Sequence, residues 1–141
     1  MIAEIIKQNE GLRLKPYKDS EGIQTIGYGF NLEEGISQRI AEFLFSEKYN
    51  QVHRDFHHLI TKVIGGDLDG ELVNGRKAAL YDMLYHMGLP RVLGFKKMLQ
   101  AIKEKDWNTA QVEIMDSRYA EQTPARAYRN SLMMLTGEVT K

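Results

Sequence analysis

Residues 9–29 read Asn9-Glu10-Gly11-Leu12-Arg13-Leu14-Lys15-Pro16-Tyr17-Lys18-Asp19-Ser20-Glu21-Gly22-Ile23-Gln24-Thr25-Ile26-Gly27-Tyr28-Gly29, and their punctuation sets the fold class. Upstream of them Ile2, Ile5 and Ile6 recur on one helical face, so Ile2 to Asn9 is predicted as a helix with Gly11 as its stop. Pro16 lacks a backbone donor and pushes Lys15 away from helix, so residues 14–18 read as extended. Asp19-Ser20-Glu21-Gly22 has Asp first and Gly fourth, the pattern of a type I turn. Ile23 to Tyr28 then returns as the second strand of a hairpin.

Beyond the hairpin the pattern is helical. Ser37 is placed to cap a long helix whose Ile40, Leu44, Val52, Phe56 and Leu59 recur at helical spacing. Residues 65–70 read as a loop, and 76–87 as an apolar-rich helix closed by Gly88 and Pro90. Two shorter helices are expected at about 95–104 and 107–118, with Asp106 capping the second. Thr123-Pro124 opens the last helix, with Thr as cap and Pro in its first turn. The expected class is α+β, mainly α: a small N-terminal hairpin, a long helix, then a helical bundle, with a cleft for ligand where hairpin and bundle meet.

The chain has 141 residues, enough for one domain with a real core. No repeat, low-complexity tract or Pro/Ser-rich linker divides it. Cysteine is absent, which excludes disulfides and thiolate metal sites. Basic and acidic residues balance at nineteen each, so no bulk charge draws the chain to nucleic acid. Residues 1–85 carry ten basic and thirteen acidic side chains, and residues 86–141 carry nine and six, a mild asymmetry that decides little. No apolar run is long enough to span a membrane, and the N-terminus does not read as a secretory signal, so no stable membrane insertion is expected.

Chemistry-bearing groups gather around the hairpin. Glu10 sits at a helix end, Asp19 opens the turn nine residues later, and Thr25 lies on the returning strand. Hydrolysis of a glycosidic bond needs two carboxyl groups, one protonated to donate to the leaving oxygen and one ionised. Spacing alone leaves these residues equally readable as a solvated helix end and a turn former.

The stretch from Asn9 to Asp19, with Gly22 and Thr25-Ile26-Gly27-Tyr28-Gly29, closely resembles the N-terminal signature of the phage-type lysozymes, glycoside hydrolase family 24. A second block, Arg76-Lys77-Ala78-Ala79 through His86-Met87-Gly88 to Gly94-Phe95, agrees with it. So does a third, comprising Trp107, Ser117-Arg118-Tyr119 and Gln122-Thr123-Pro124-Ala125-Arg126-Ala127. The blocks fall in family order and cover most of the chain.

The resemblance implies one lysozyme-like domain over residues 1–141, with a small lobe at about 12–58. The helical lobe would comprise about 59–141 plus the N-terminal helix. It implies a muramidase that hydrolyses the β-1,4 bond between N-acetylmuramic acid and N-acetylglucosamine in bacterial peptidoglycan, with no cofactor. Glu10 matches the general acid, Asp19 the carboxylate that activates water, and Thr25 a hydroxyl that helps place that water. Arg126 matches an arginine approaching the catalytic Glu, and is taken as a positioning group. Tyr85 and Asn31 match sugar-contacting positions. An endolysin of this kind is expected as a monomer held in the host cytoplasm before release to the cell wall.

Three departures stand out. Phe30 follows the Gly-x-Gly where relatives often carry His, and Tyr119 stands where some carry Trp. The segment between Gly29 and the long helix is short, so an extra strand or helix of longer relatives is expected to be missing.

Other motifs fail on inspection. His53 and His57 have helical i, i+4 spacing beside His58, but no HExxH pattern or third zinc ligand accompanies them, so no metal is expected. Asp67, Asp69 and Glu71 start like a calcium loop, yet Leu72 stands where Gly is needed and Ala78 where Glu is needed. Gly27-Tyr28-Gly29 lacks the continuation of a dinucleotide fingerprint. Two rival functions share the fold: a lytic transglycosylase, which needs no second carboxylate, and a non-catalytic module of a phage particle.

Overall fold

The first helix, α1 (Ile2–Glu10), ends at Gly11, whose φ of 74° carries the chain out of helix while its amide donates to the Lys7 carbonyl at 2.8 Å. The computed structural model describes residues 1–65 and 72–140. These divide into two units, Met1–Phe45 and Ser46–Lys141, which are taken separately. The helix α1 belongs to the first unit.

In the first unit, β1 (Arg13–Lys18), β2 (Gln24–Gly27) and β3 (Phe30–Asn31) form an antiparallel sheet in the order β1-β2-β3. Tyr17 pairs with Thr25, but the register shifts between Arg13 and Tyr17. Pro16 falls inside that shift, on an edge strand, where its missing donor is tolerated. The hairpin expected from sequence is therefore short by one strand. Gly29, at φ 71°, turns the chain back so that Phe30 and Asn31 pair with Ile26 and Thr25. A single 3₁₀ turn follows at Leu32–Glu34. Two residues are too few for an alternating pattern, which is why this strand left no trace in the sequence.

The long helix α2 (Gln38–His58) starts as expected, with the Ile40 amide donating to the Ser37 hydroxyl at 3.2 Å. The boundary between the units falls within it. Its backbone continues as a π-helical segment, Leu59–Gly65, which buries Leu59, Ile60 and Ile64. The loop predicted from residue 65 thus loses Gly65 to this segment, and the rest of it, with the calcium-like carboxylates, lies outside the described residues.

In the second unit, α3 (Asn74–Met87) places Ala79, Leu80, Met83 and Leu84 in the core. It is followed by α4 (Leu89–Leu93), α5 (Lys96–Lys103), α6 (Trp107–Met115), α7 (Arg118–Gln122) and α8 (Pro124–Thr136), and α8 packs against α3 and α6. Gly75 donates to the Gly137 carbonyl at 3.0 Å, and a Cβ there would collide with the backbone of Gly137 and Glu138. Only glycine lets α3 approach the end of α8 so closely.

Three sequence expectations need correction here. The helix expected over 76–87 does end at Met87 with Gly88 as its stop, but Pro90 then sits in the first turn of a new helix, α4, where a missing amide costs nothing. The helix expected over 107–118 breaks at Asp116, and the Ser117 hydroxyl caps a new one by accepting from the Ala120 amide at 3.1 Å. Thr123 stands at the N-cap of α8 but does not cap with its side chain, which donates instead to the Tyr119 carbonyl at 3.0 Å. The Asp106 cap is as expected, accepting from the Thr109 amide at 3.1 Å.

Candidate active site

Four of the six residues singled out from sequence fall in the first unit, and the hairpin organises two of them, Asp19 and Thr25. The turn between β1 and β2 closes with the Gly22 amide donating to the Asp19 carbonyl at 3.0 Å. The Asp19 carboxylate then accepts from the Glu21 amide at 2.8 Å and the Ile23 amide at 2.9 Å, both on Oδ1. An Asp side chain that captures the amides ahead of it locks its own turn and fixes its own orientation. Ile23 ties this group to the next. Its carbonyl accepts from the Asp19 amide at 2.9 Å and from the Thr25 hydroxyl at 2.9 Å.

Thr25 is 3% exposed, the one buried polar side chain of this unit, and it sits on the central strand with Tyr17 on one side and Asn31 on the other. Because its hydroxyl proton is committed to the Ile23 carbonyl, its oxygen is left to act as an acceptor. Asn31 Oδ1 accepts from the Glu33 amide at 2.8 Å and caps the 3₁₀ turn. That structural duty engages its carbonyl and leaves the amide group for other partners.

Glu10 is the last, exposed residue of α1. Two contacts set the end of α1 against the turn between β2 and β3. The Lys7 ammonium stands 5.6 Å from the Tyr28 ring centroid, and the Glu10 carboxyl lies over Gly29. Glu10, Asp19 and Thr25 are thereby carried by the end of α1, the turn between β1 and β2, and β2 itself.

Tyr85 and Arg126 belong to the second unit. Tyr85 packs partly against the core and carries the Lys48 ammonium 4.4 Å from its ring centroid. Arg126 makes a forked ion pair with Asp82, Nε to Oδ2 and Nη2 to Oδ1, each at 2.7 Å. Asn130 extends the network, donating to Asp82 at 2.9 Å and to the Tyr119 hydroxyl at 2.7 Å. Burial alone would raise the Asp82 carboxyl, but hydrogen bonds from Arg126 and Asn130 with the charges of Arg126 and His86 prevail and hold it below the usual carboxylate range. The same ion pair raises the Arg126 guanidinium. Burial raises the Tyr119 phenol. An open depression of about 700 Å³, lined by His86, Phe95, Arg118 and Tyr119 among others, includes none of the six residues.

His53, one of the three histidines weighed as zinc ligands, shares a 2.6 Å hydrogen bond with the Tyr81 hydroxyl, and its ring lies tilted against those of Tyr49 and Tyr81. Among the described residues no group of three His, Asp or Glu side chains is placed to hold a metal.

The family model described as phage lysozyme matches residues 7–130, most of the chain. The chain belongs to the phage lysozyme family. Its relatives include the probable T4-type lysozyme 1 of Dictyostelium discoideum, 31% identical over 96% of this chain and 94% of that protein. The pre-baseplate central spike protein Gp5 of Enterobacteria phage T4 is 30% identical over 98% of this chain, but over only 28% of its own length. An endolysin of Acyrthosiphon pisum secondary endosymbiont phage 1 is 27% identical over 79% of this chain and 73% of its own. Lysozyme-type glycoside hydrolase activity follows from this membership.

For a phage lysozyme, sequence reasoning missed two groups. Gly29 stands in the sequence only as part of a Gly-x-Gly, and nothing local singles out Asp82. The Asp82 pair predicts a pH signature. A carboxyl held low by its partners in the folded state stabilises the fold above its unfolded value of about 4 and loses that contribution as pH falls through its folded value. Asp82→Asn should therefore cost about 1–2 kcal/mol at pH 7, the lower end because each side chain is about a third exposed. The cost should shrink below pH 4. Urea melts of both proteins at pH 7 and pH 3 check this, and an equal cost at both would refute the ionic account.

Proposed function

We propose that this phage lysozyme is an endolysin-type muramidase acting on bacterial peptidoglycan. It hydrolyses the β-1,4 bond between N-acetylmuramic acid and N-acetylglucosamine with inversion, Glu10 serving as general acid, Asp19 as base and Thr25 as water holder. The observation that carries this reading is the hydrogen-bonded link from Asp19 through Ile23 to Thr25. It supports a water whose two hydrogens go to two acceptors, Asp19 and the Thr25 oxygen. The lone pair of that water is then free to face the anomeric carbon.

In this mechanism Glu10 gives its proton to the leaving glycosidic oxygen as the bond to the anomeric carbon breaks. The water adds from the opposite face and passes its proton to Asp19. Charge is conserved, with one carboxyl deprotonated and the other protonated. Tyr85 and the amide of Asn31 are proposed to contact sugar, and Arg126 to position, as the family resemblance implies.

Product analysis tests the reading. Proton NMR at early times should show a new reducing end as the α-anomer. A β-anomer appearing first would turn Asp19 into a nucleophile. A 1,6-anhydro product, lighter by one water, would make the protein a transglycosylase, and no product at all would favour a binding module. The match to the spike protein supports a second setting, a lysozyme carried as part of a phage particle, and tryptic mass spectrometry of purified particles separates it from a free endolysin.

A further inference from the structure

We propose that Gly29 is a positioning residue for the acid: its missing side chain is the slot that seats the Glu10 carboxyl. This rests on the reading of Glu10 as the proton donor. An L-Cβ built on Gly29 falls on Glu10 Oε2 and lies 2.8 Å from its Cδ and 3.4 Å from its Cγ. An ordinary carbon–carbon contact is about 3.5–4.0 Å, so a methyl at residue 29 drives the carboxyl back by most of an ångström.

Gly27 supplies an internal contrast. It flanks the same Tyr28 at nearly the same backbone angle, φ 69° against 71°, yet a Cβ there meets nothing within 4 Å. Both glycines carry the same conformational demand, while only Gly29 carries a steric one. The Gly-x-Gly therefore has two different jobs. The first glycine serves the turn. The second serves the turn and the acid. The Lys7 ammonium, 5.6 Å from the Tyr28 ring centroid, is a second contact between the end of α1 and this turn.

The experiment compares Gly29→Ala with Gly27→Ala on soluble glycan oligomers, at a temperature where circular dichroism shows both folded. Gly29→Ala should lower kcat about 100-fold, the cost of displacing a reacting group by about 1 Å, with KM changed only a few-fold. Gly27→Ala should stay within a few-fold of wild type in both. If either alanine variant fails to fold, Gly29→Asn and Gly27→Asn repeat the comparison with the residue that best tolerates positive φ. A second readout is independent of activity. Gly29→Ala should lower the melting temperature more than Gly27→Ala does, and that excess should vanish when Glu10 is truncated to Ala. Equal kcat losses at residues 27 and 29, or an excess that persists without the Glu10 side chain, would overturn the proposal. Should Glu10→Gln prove fully active, the acid reading falls, while the melting comparison still decides whether residue 29 seats residue 10.

Discussion

Glu10→Gln should lower the rate of wall lysis by about 10²- to 10⁴-fold, the usual share of a general acid, and it should leave the fold intact. Glutamine has the shape of glutamate, so it fits over Gly29 where the carboxyl lies, and it keeps the α1 terminus unchanged. What it lacks is a proton to give. The stability effect should even have the opposite sign. Glu10 is the last residue of α1, where the negative end of the helix dipole meets its charge, so neutralising it should raise the melting temperature slightly. A variant that is more stable and inactive separates a chemical role from a structural one. Turbidity loss of outer-membrane-stripped cells, with a melt of the same preparation, measures both. Retention of more than a few per cent of the wild-type rate would remove Glu10 from the acid role.

How much of this was readable in the chain depends on the range of the interactions. The hairpin was legible because its signals are local: Pro16 needs an edge, Asp19 needs amides two and four residues ahead, and Gly22 needs a turn. The caps at Ser37 and Asp106 are equally local. Thr123 misled because its hydroxyl has a local choice, and here it bonds back to Tyr119 rather than forward into α8. Ser117 did the converse: a polar residue inside an apolar rhythm proved to be a helix start. The π-helical continuation after α2 was invisible because its apolar residues keep nearly the helical rhythm.

The site divides in the same way. Family resemblance was needed to single out Glu10, Asp19 and Thr25, since spacing could not separate them from ordinary turn and surface residues. The Asp19–Ile23–Thr25 link ties the carboxylate and the hydroxyl together within one hairpin, while Glu10 comes from the end of α1. Neither the Asp82–Arg126 pair, 44 residues apart in sequence, nor the close approach of Glu10 to Gly29 could be read from the sequence alone. Both depend on where the backbone brings distant residues.

The second large effect belongs to Asp19, whose carboxylate holds two jobs that one pair of variants can separate. Both backbone amides, from Glu21 and Ile23, bond to Oδ1, so the fold uses one oxygen and the proposed chemistry the other. Asn keeps a carbonyl oxygen where Oδ1 stands, so Asp19→Asn should preserve the turn and melt near the wild type. Its amide nitrogen cannot take a proton from water, so lysis should fall by about 10²- to 10⁴-fold. Asp19→Ala removes the acceptor as well. It should lose as much activity and, in addition, about 1–2 kcal/mol of stability from the two amides left without their partner. Lysis rates and thermal melts of the three proteins form the test. Equal activity loss with unequal melting assigns the two jobs to the two oxygens. If Asp19→Asn instead lysed walls at more than a tenth of the wild-type rate, Asp19 would be a turn former alone. The water would then need its base elsewhere.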